Sequence, residues 1–547
     1  MYRPSRLRLR TRAIATAALA LALTGTLVAC GSGGPAGPAP QEEAAPGFLT
    51  VAEAGDSTGS ATIQVDYDTA EANGLDPQTA QTARSWMILG LVYETLVSVD
   101  ENFEIQPGLA SSWEQPDELT YVFTIDTSAS FSNGRGVTTE DVAESLERLT
   151  ESGGVWVGQL GPIESIEATD DTTVTVKLSE PYVPFLASLA NTPAAVLPIE
   201  EIDAGEVDLA TEMLGTGPYT VVEHRQDESW TFAANPEWRE ADSLRVTDLT
   251  LQIVGQESTR QAALREGSAD LVNFNNVDSL TLLSDSPAAR VVNQTQTDFY
   301  YLIVNSQQPG SPLQDQDVRF AINAAVDRQA VADIVLAGES SPTGVTPSNL
   351  PGACEVDALP SRQLSAEEAG QLLADGGFDD RTLSLLLYTE EPVLAQMAQL
   401  IQQQLAEIGV TVEIEQYDTA TFTSRVFTTQ PGDFDLALGW FAGYGDPSMV
   451  TRWWNPEIAG FNTGFTGGHD DLNELIAQGA SESDPAARAE TLAELCRTAD
   501  EYSEIVPLVH RPSLIGYHTE TLSPTISSNE GYGDFLRYIG DFAPLGK

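Results

Sequence analysis

Residues 433–454, DFDLALGWFAGYGDPSMVTRWW, constrain this chain more than any other stretch. Phe434, Leu436, Leu438 and Trp440 alternate with Asp435, Ala437 and Gly439. That period predicts a strand with its four large side chains on one face. Gly443, Gly445 and Pro447 then force a turn carrying Tyr444 and Asp446, and Trp453 and Trp454 follow. A packed strand that stops in a Gly-rich turn with aromatic rings and one carboxylate is how a scaffold presents a ligand cleft. An ordinary core strand with a surface loop gives the same pattern, so both readings stay open on these residues alone.

The amino terminus points to a compartment. Arg3, Arg6, Arg8, Arg10 and Arg12 form a positive segment without acids, followed by an apolar run from 13 to 28 that is short for a membrane span and has the flanks of a signal peptide. It ends in Leu27-Val28-Ala29-Cys30, which resembles the lipobox of bacterial lipoproteins. Residues 1–29 are therefore read as a lipoprotein signal peptide, with Cys30 acylated and made the new amino terminus. The Gly/Pro-rich segment 30–47 reads as the flexible tether that an anchored protein needs. No later run is long enough to span a bilayer, so the rest is expected to be water-soluble and outside the cytoplasm.

The formal charge of −55 is carried by 81 acids against 26 Lys and Arg, and loss of the leader would remove five of those arginines. Such a surface repels nucleic acid and anionic headgroups, which excludes both as partners. An apolar content of 41% in regular patterns argues against disorder despite that charge. The acidity is read as adaptation to a salty habitat, where counterions screen self-repulsion. Two cysteines remain after lipidation, Cys354 and Cys496, and in an oxidising compartment a leftover pair is expected to form a disulfide.

Local patterns then fix several elements. Tyr121, Phe123 and Ile125 alternate as a strand, Asn133-Gly134 turns the chain, and Thr138 with Asp141 caps a helix whose apolar face is Val142, Leu146 and Leu149. Ser365 and Glu368 form a second capping box, and Gly376-Gly377 stops that helix. A helix bearing Val393, Met397, Ile401 and Leu405 ends at Gly409, and 410–415 alternates as a strand. Pro485 after Asp484 opens a helix to about 498. Helix, glycine stop and β-branched strand in succession argue for an α/β lobe with helices covering a sheet.

Several of these stretches together resemble the family 5 extracellular solute-binding proteins, the peptide, dipeptide and nickel binding components of ABC importers. The resemblance is carried by Leu109-Ala110 with Trp113, by Phe131-x-x-Gly134 and by the helix start Thr139-Glu140-Asp141-Val142. It continues through Gly215-Thr216-Gly217-Pro218-Tyr219, through Ser258-Thr259-Arg260 with Ala269-Asp270-Leu271, and through Asp317-Val318-Arg319 to Asp327-Arg328. It ends in the strand and turn around Trp440 and Asp446-Pro447.

The resemblance implies an α/β, two-lobed periplasmic-binding-protein-like fold with a hinge. Lobe I would run over 48–297 with an inserted subdomain at about 86–212, lobe II over 298–506, and 507–547 would return to lobe I. The crossings would be 298–305 and 505–510. The implied function is capture of a small solute by lobe closure and delivery to an ABC permease, by a lipid-anchored monomer on the outer face of the cytoplasmic membrane, without cofactor, metal or chemistry on the ligand. An oligopeptide or dipeptide is the favoured solute, with a sugar, nickel complex or other small molecule as the alternative and a lipid-anchored hydrolase as the minor one. Trp440, Phe441, Tyr444, Asp446 and Tyr300 are the expected ligand contacts. One departure bears on the solute. Peptide-binding members pair the ligand amine with an aspartate three residues after the tryptophan, where this chain has Gly443, so either Asp446 replaces it or the ligand is not an amino-terminal peptide. Asp446-Pro447 also reads as a common turn pair whose carboxylate only caps the turn. The four histidines show no short ligand spacing, and His469-Asp470-Asp471 reads as a solvated loop sooner than a metal patch. Hydrolase elbows and metalloprotease helices are absent from the sequence.

Overall fold

The computed structural model describes residues 56–69, 74–100, 103–294, 296–379, 381–524 and 535–546. The leader 1–29, Cys30 and the tether 30–47 lie outside the described residues. Among those described, no helix is long and apolar enough to cross a membrane.

Three sheets organise the chain. The first has seven strands in the order Ala289–Gln294, Ser513–His518, Leu271–Phe274, Gly59–Val65, Val246–Ile253, Ser229–Ala234 and Tyr219–Arg225. The second has five, ordered Thr411–Tyr417, Thr382–Tyr388, Leu436–Phe441, Phe299–Val304 and Ile505–His510. A four-stranded antiparallel sheet, Ala110–Asp117, Thr120–Ile125, Thr173–Leu178 and Ile163–Asp170, is inserted in sequence between strands of the first. The helix Thr139–Glu151 covers it with Val142, Leu146 and Leu149 buried, and the Thr138–Asp141 capping box starts that helix. Gly134 takes φ 87° at the turn before it, a backbone only glycine adopts without strain.

In the second sheet, the parallel strands Thr382–Tyr388 and Thr411–Tyr417 are joined by the helix Val393–Glu407, the crossover that parallel pairing requires. The capping box of Ser365 and Glu368 opens the helix Ala366–Asp375. The helix Pro485–Tyr502, capped by Asp484, runs past the expected stop at 498 and ends at Ser503 in a left-handed conformation. Cys496 on this helix is bonded to Cys354.

The strand Leu436–Phe441 differs from its sequence pattern. It is a central strand paired along both edges, and the consecutive residues 436–439 are all buried, so both of its faces are covered rather than one. Leu436 and Leu438 join one core cluster, and Ala437 joins another. Phe434, placed on the Leu436 face by the alternation, precedes the strand and packs in the opposite cluster against Phe465. Gly439 is small because a side chain there would run into the Tyr301 ring.

The two crossing strands also differ from expectation. Phe299–Val304 and Ile505–His510 pair with each other inside the second sheet. The chain therefore passes between sheets in the stretch between Gln294 and Phe299 and again at Arg511-Pro512, later than the return expected at 507.

Candidate functional site

Strand register gathers the charged floor of a cleft lined by both large sheets' loops. Phe299 lies opposite Phe441 on one side and His510 on the other, so Asp298 falls beside the residues that follow each of those two strands. Its carbonyl accepts from the Arg511 N–H at 2.9 Å, and its carboxylate Oδ1 accepts from the Gly443 N–H at 2.8 Å. A Cβ on Gly443 would collide with Thr297, so no aspartate fits at this position without the backbone moving.

Arg511 is the centre of that floor. Its guanidinium lies 4.4 Å over the Trp440 ring and donates to Glu391 at 3.3 and 3.4 Å. Tyr300 donates its hydroxyl to the same Glu391 at 3.1 Å. Burial works against the charge on Arg511, but Glu391, Tyr300 and Asp298 outweigh it and hold the proton more tightly than usual. Burial pushes the Asp298 carboxyl up to about 6, with Arg511 pulling the other way.

The cleft enclosed above this floor holds about 570 Å³, the size of a small-solute site. Its first-sheet side carries Arg84, on the helix Ala83–Leu89, and the amides of Asn273 and Asn275. Asn273 donates to Asp66 at 2.8 Å, and Asn275 donates to the other oxygen. Burial opposes ionisation of Asp66, yet Arg84, Arg260 and the two amides hold it below the ordinary carboxylate range.

The mouth is bridged without an ion pair among the described residues, and the Arg452 guanidinium donates there to the Gly158 carbonyl. Tyr444 meets the edge of Trp156 at 5.2 Å, Gln159 Nε2 donates to the Met449 carbonyl at 3.2 Å, and the Val183 N–H donates to the Ala480 carbonyl at 2.7 Å. These contacts join the inserted four-stranded unit to the loops and helices that follow the strand Leu436–Phe441.

Of the five expected contacts, Trp440 and Tyr444 line the cleft and three do not. Asp446 caps the helix Pro447–Thr451 through the Ser448 N–H and is held by Arg488 in two hydrogen bonds of 2.6 and 2.9 Å. That engagement removes it as the partner of a ligand amine. Phe441 turns from the cleft onto Tyr301 and Trp453, each 4.2 Å away. Tyr300 is buried, with its hydroxyl on Glu391. Trp453 and Trp454 are also buried, and Trp454 donates to the Ile505 carbonyl. His469 stacks on Tyr502 at 3.5 Å and bonds Glu504.

Sequence reasoning passed over Asp298, Arg511, Glu391 and Arg84. A signal for two of them is present: Asp298 and Arg511 are charges standing directly at the ends of the apolar runs FYYLIV and IVPLVH.

The model of bacterial extracellular solute-binding proteins, family 5, middle region, matches residues 104–460. The chain belongs to this family. Its members are the solute-binding components of ABC importers, and they work outside the cytoplasm. Among similar curated proteins is the probable D,D-dipeptide-binding periplasmic protein DdpA of Escherichia coli (strain K12), 28% identical over 405 residues, 70% of this chain and 76% of that protein. Heme-binding protein A of Haemophilus influenzae is 28% identical over 391 residues, 65% of this chain and 70% of its own length. Among solved structures, the ABC transporter substrate-binding protein CtaP of Listeria monocytogenes superposes with a TM-score of 0.79 at 19% identity, covering 90% of this chain and 100% of that one. DppA of Helicobacter pylori in complex with the peptide STSA gives 0.76 at 21% identity, covering 90% and 99%. This family 5 protein therefore has the two-lobed α/β fold of periplasmic binding proteins.

Proposed function

We propose that this family 5 protein captures a small solute, an oligopeptide or dipeptide before others, by closing its lobes, and hands it unaltered to an ABC permease. It does so as a monomer held at the outer face of the cytoplasmic membrane through acylated Cys30. The observation that carries the reading is the cleft itself: a floor of paired charges at the hinge, and a mouth bridged between the two lobes by hydrogen bonds and a ring contact, without an ion pair among the described residues. A solute touching both walls binds the closed form better than the open one and shifts the population toward closure. The name of DdpA and the peptide bound to DppA favour a peptide. Gly443, which leaves the usual amine-pairing position without a carboxylate, favours the second reading, a non-peptide solute.

Native mass spectrometry of the purified protein, with small-angle scattering before and after solute removal, tests the capture. A copurifying solute and an expansion on its removal are expected. An unchanged scattering profile with every solute offered overturns closure. For the anchor, Cys30→Ala is expected to move the protein from the membrane fraction to the soluble one, and persistence at the membrane overturns the tether.

A further inference from the structure

Gln296, Arg511 and Pro512 line the solute cleft and also a second cavity of about 440 Å³. The two chain crossings divide these spaces, and Gln296 joins them by donating to the Arg511 carbonyl. Arg511 turns its guanidinium to Trp440 in the cleft, whereas the preceding residue, His510, turns its imidazole onto the Ser348 hydroxyl at 2.6 Å, in the second cavity. That cavity has a wall from each large sheet. Gln294 ends an edge strand of the first sheet, while the segment 338–341 is held to the second, where the His510 N–H donates to the Ser341 carbonyl at 3.0 Å.

Hydrogen-bonding capacity is left over in these walls. Gln294 is 2% exposed, yet its Oε1 has no partner among the described residues. Asn349 donates through Nδ2 to the Gln296 carbonyl at 3.0 Å, and its buried Oδ1 has no partner either. Glu339 pairs with no cation among the described residues, and its carboxylate accepts one long hydrogen bond, 3.4 Å from Asn293. Arg511 is committed to Glu391 on the cleft side, and burial lowers the His510 imidazole to about 4, so neither offsets Glu339 at neutral pH. The unfilled groups are thus acceptors, one of them a carboxylate. An ammonium supplies donors only, through charge-assisted bonds, and a formal charge of −55 concentrates cations at the surface.

We propose that the cavity behind the crossings is a second binding site, for a small hydrophilic primary ammonium, and that filling it favours the closed form. The effect on capture rests on the closure reading above, and the site itself does not. Because the crossings lie between cavity and cleft, a rotation that parts the mouth narrows the space behind them. The form with its mouth bridged is then the one with room for the ammonium. A ligand that binds one form better shifts the population toward it, and by reciprocity the ammonium tightens solute binding.

The test is calorimetry at constant ionic strength on protein freed of copurified solute. It compares ethanolamine with choline, which keeps the charge and the hydroxyl but has no N–H to donate. Saturable one-to-one binding of ethanolamine, at least about tenfold tighter than choline, is expected. Glu339→Gln should weaken it about tenfold to a hundredfold and Gln294→Leu about twofold to tenfold, with trialanine binding in the absence of ethanolamine unchanged. Saturating ethanolamine should tighten trialanine binding severalfold. Equal binding of ethanolamine and choline overturns the site, since it marks the diffuse attraction of any cation to an acidic surface, and full binding by Glu339→Gln does the same. Weaker trialanine binding with ethanolamine present also overturns it, by placing the amine in the solute cleft. Ethanolamine that binds through Glu339 but contracts the protein no more than choline does in scattering overturns the coupling. A protein that contracts with no solute at all loses the closure reading, and the difference between ethanolamine and choline still decides the site.

Discussion

The floor and the mouth of the cleft are built from different interactions. At the floor, Asp298, Arg511 and Glu391 stand where strands of the second sheet end, largely withdrawn from water. At the mouth, Trp156 touches Tyr444, and Gln159, the Val183 N–H and the Arg452 guanidinium all donate to backbone carbonyls, with no ion pair across it among the described residues. A buried charge network is costly to disturb because each ion left unpaired keeps its desolvation penalty. Neutral contacts that open to water are replaced by hydration, so each contributes only about 0.5–1.5 kcal/mol net. The contrast suits a device that must keep one end fixed while the other opens and closes.

The sharpest test of that contrast is Arg511→Ala. It leaves Glu391 and Asp298 without their shared cation and is expected to lower unfolding stability by about 3–5 kcal/mol, read from urea denaturation. A loss below about 1 kcal/mol, the size of a surface pair, would mean the floor is not the rigid end.

The next effect is on pH. Folding raises the Asp298 carboxyl from 3.8 to about 6, chiefly by burial, against the pull of Arg511, the Gly443 N–H and Arg84 and with the help of Glu391. The folded state thus binds an extra proton between these values. The stability this group contributes is fully present below 3.8 and is lost as pH rises through about 6. Binding of a peptide's ammonium in the cleft follows the opposite sense, since it needs the ionised form. Affinity for trialanine is expected to fall about tenfold for each pH unit below about 6 in calorimetric titrations. Asp298→Asn should flatten that profile, and a wild-type profile that is already flat would detach Asp298 from the solute.

What was legible in the sequence follows the range of the interactions. The capping boxes of Thr138 and Ser365, the helix–glycine–strand succession before Thr411 and the strand through Leu438 are local, and the structure has them all. Trp440 and Tyr444 were readable because they flank the break in that strand. Asp446 was open to two readings, ligand partner or turn cap; the cap is local and present, while its other partner, Arg488, is 42 residues away on another helix and left no local signal. The floor was invisible for the same reason. Residues 298, 391, 440 and 511 meet only through the pairing of strands distant in sequence, and no periodicity encodes that pairing. The hinge strands read as crossings because apolar runs look alike whether they join two sheets or lie within one.

A smaller effect is expected at the mouth. On the proposed closure, Gln159→Ala removes a donor that bridges to Met449 across the two lobes, so the closed form would lose about 0.5–1.5 kcal/mol and the open form almost nothing. Solute affinity should therefore drop by about twofold to tenfold, through faster release, while the unfolding midpoint barely moves. A fall in stability equal to the fall in affinity would mean that this contact holds the fold together rather than the closed state.

The smallest effect on binding belongs to Asp446. Its carboxylate is engaged by Arg488 and the Ser448 N–H, so Asp446→Asn weakens the helix cap and leaves a partly buried guanidinium with a neutral partner, at a cost of about 1–3 kcal/mol in stability. The cleft does not reach this side chain, and affinity for trialanine should stay within a factor of two. A large loss of affinity without a loss of stability would place a working charge at the mouth and erase the division between the two ends of the cleft. The same loss accompanied by unfolding would show only that the helix Pro447–Thr451 carries Tyr444 to its position.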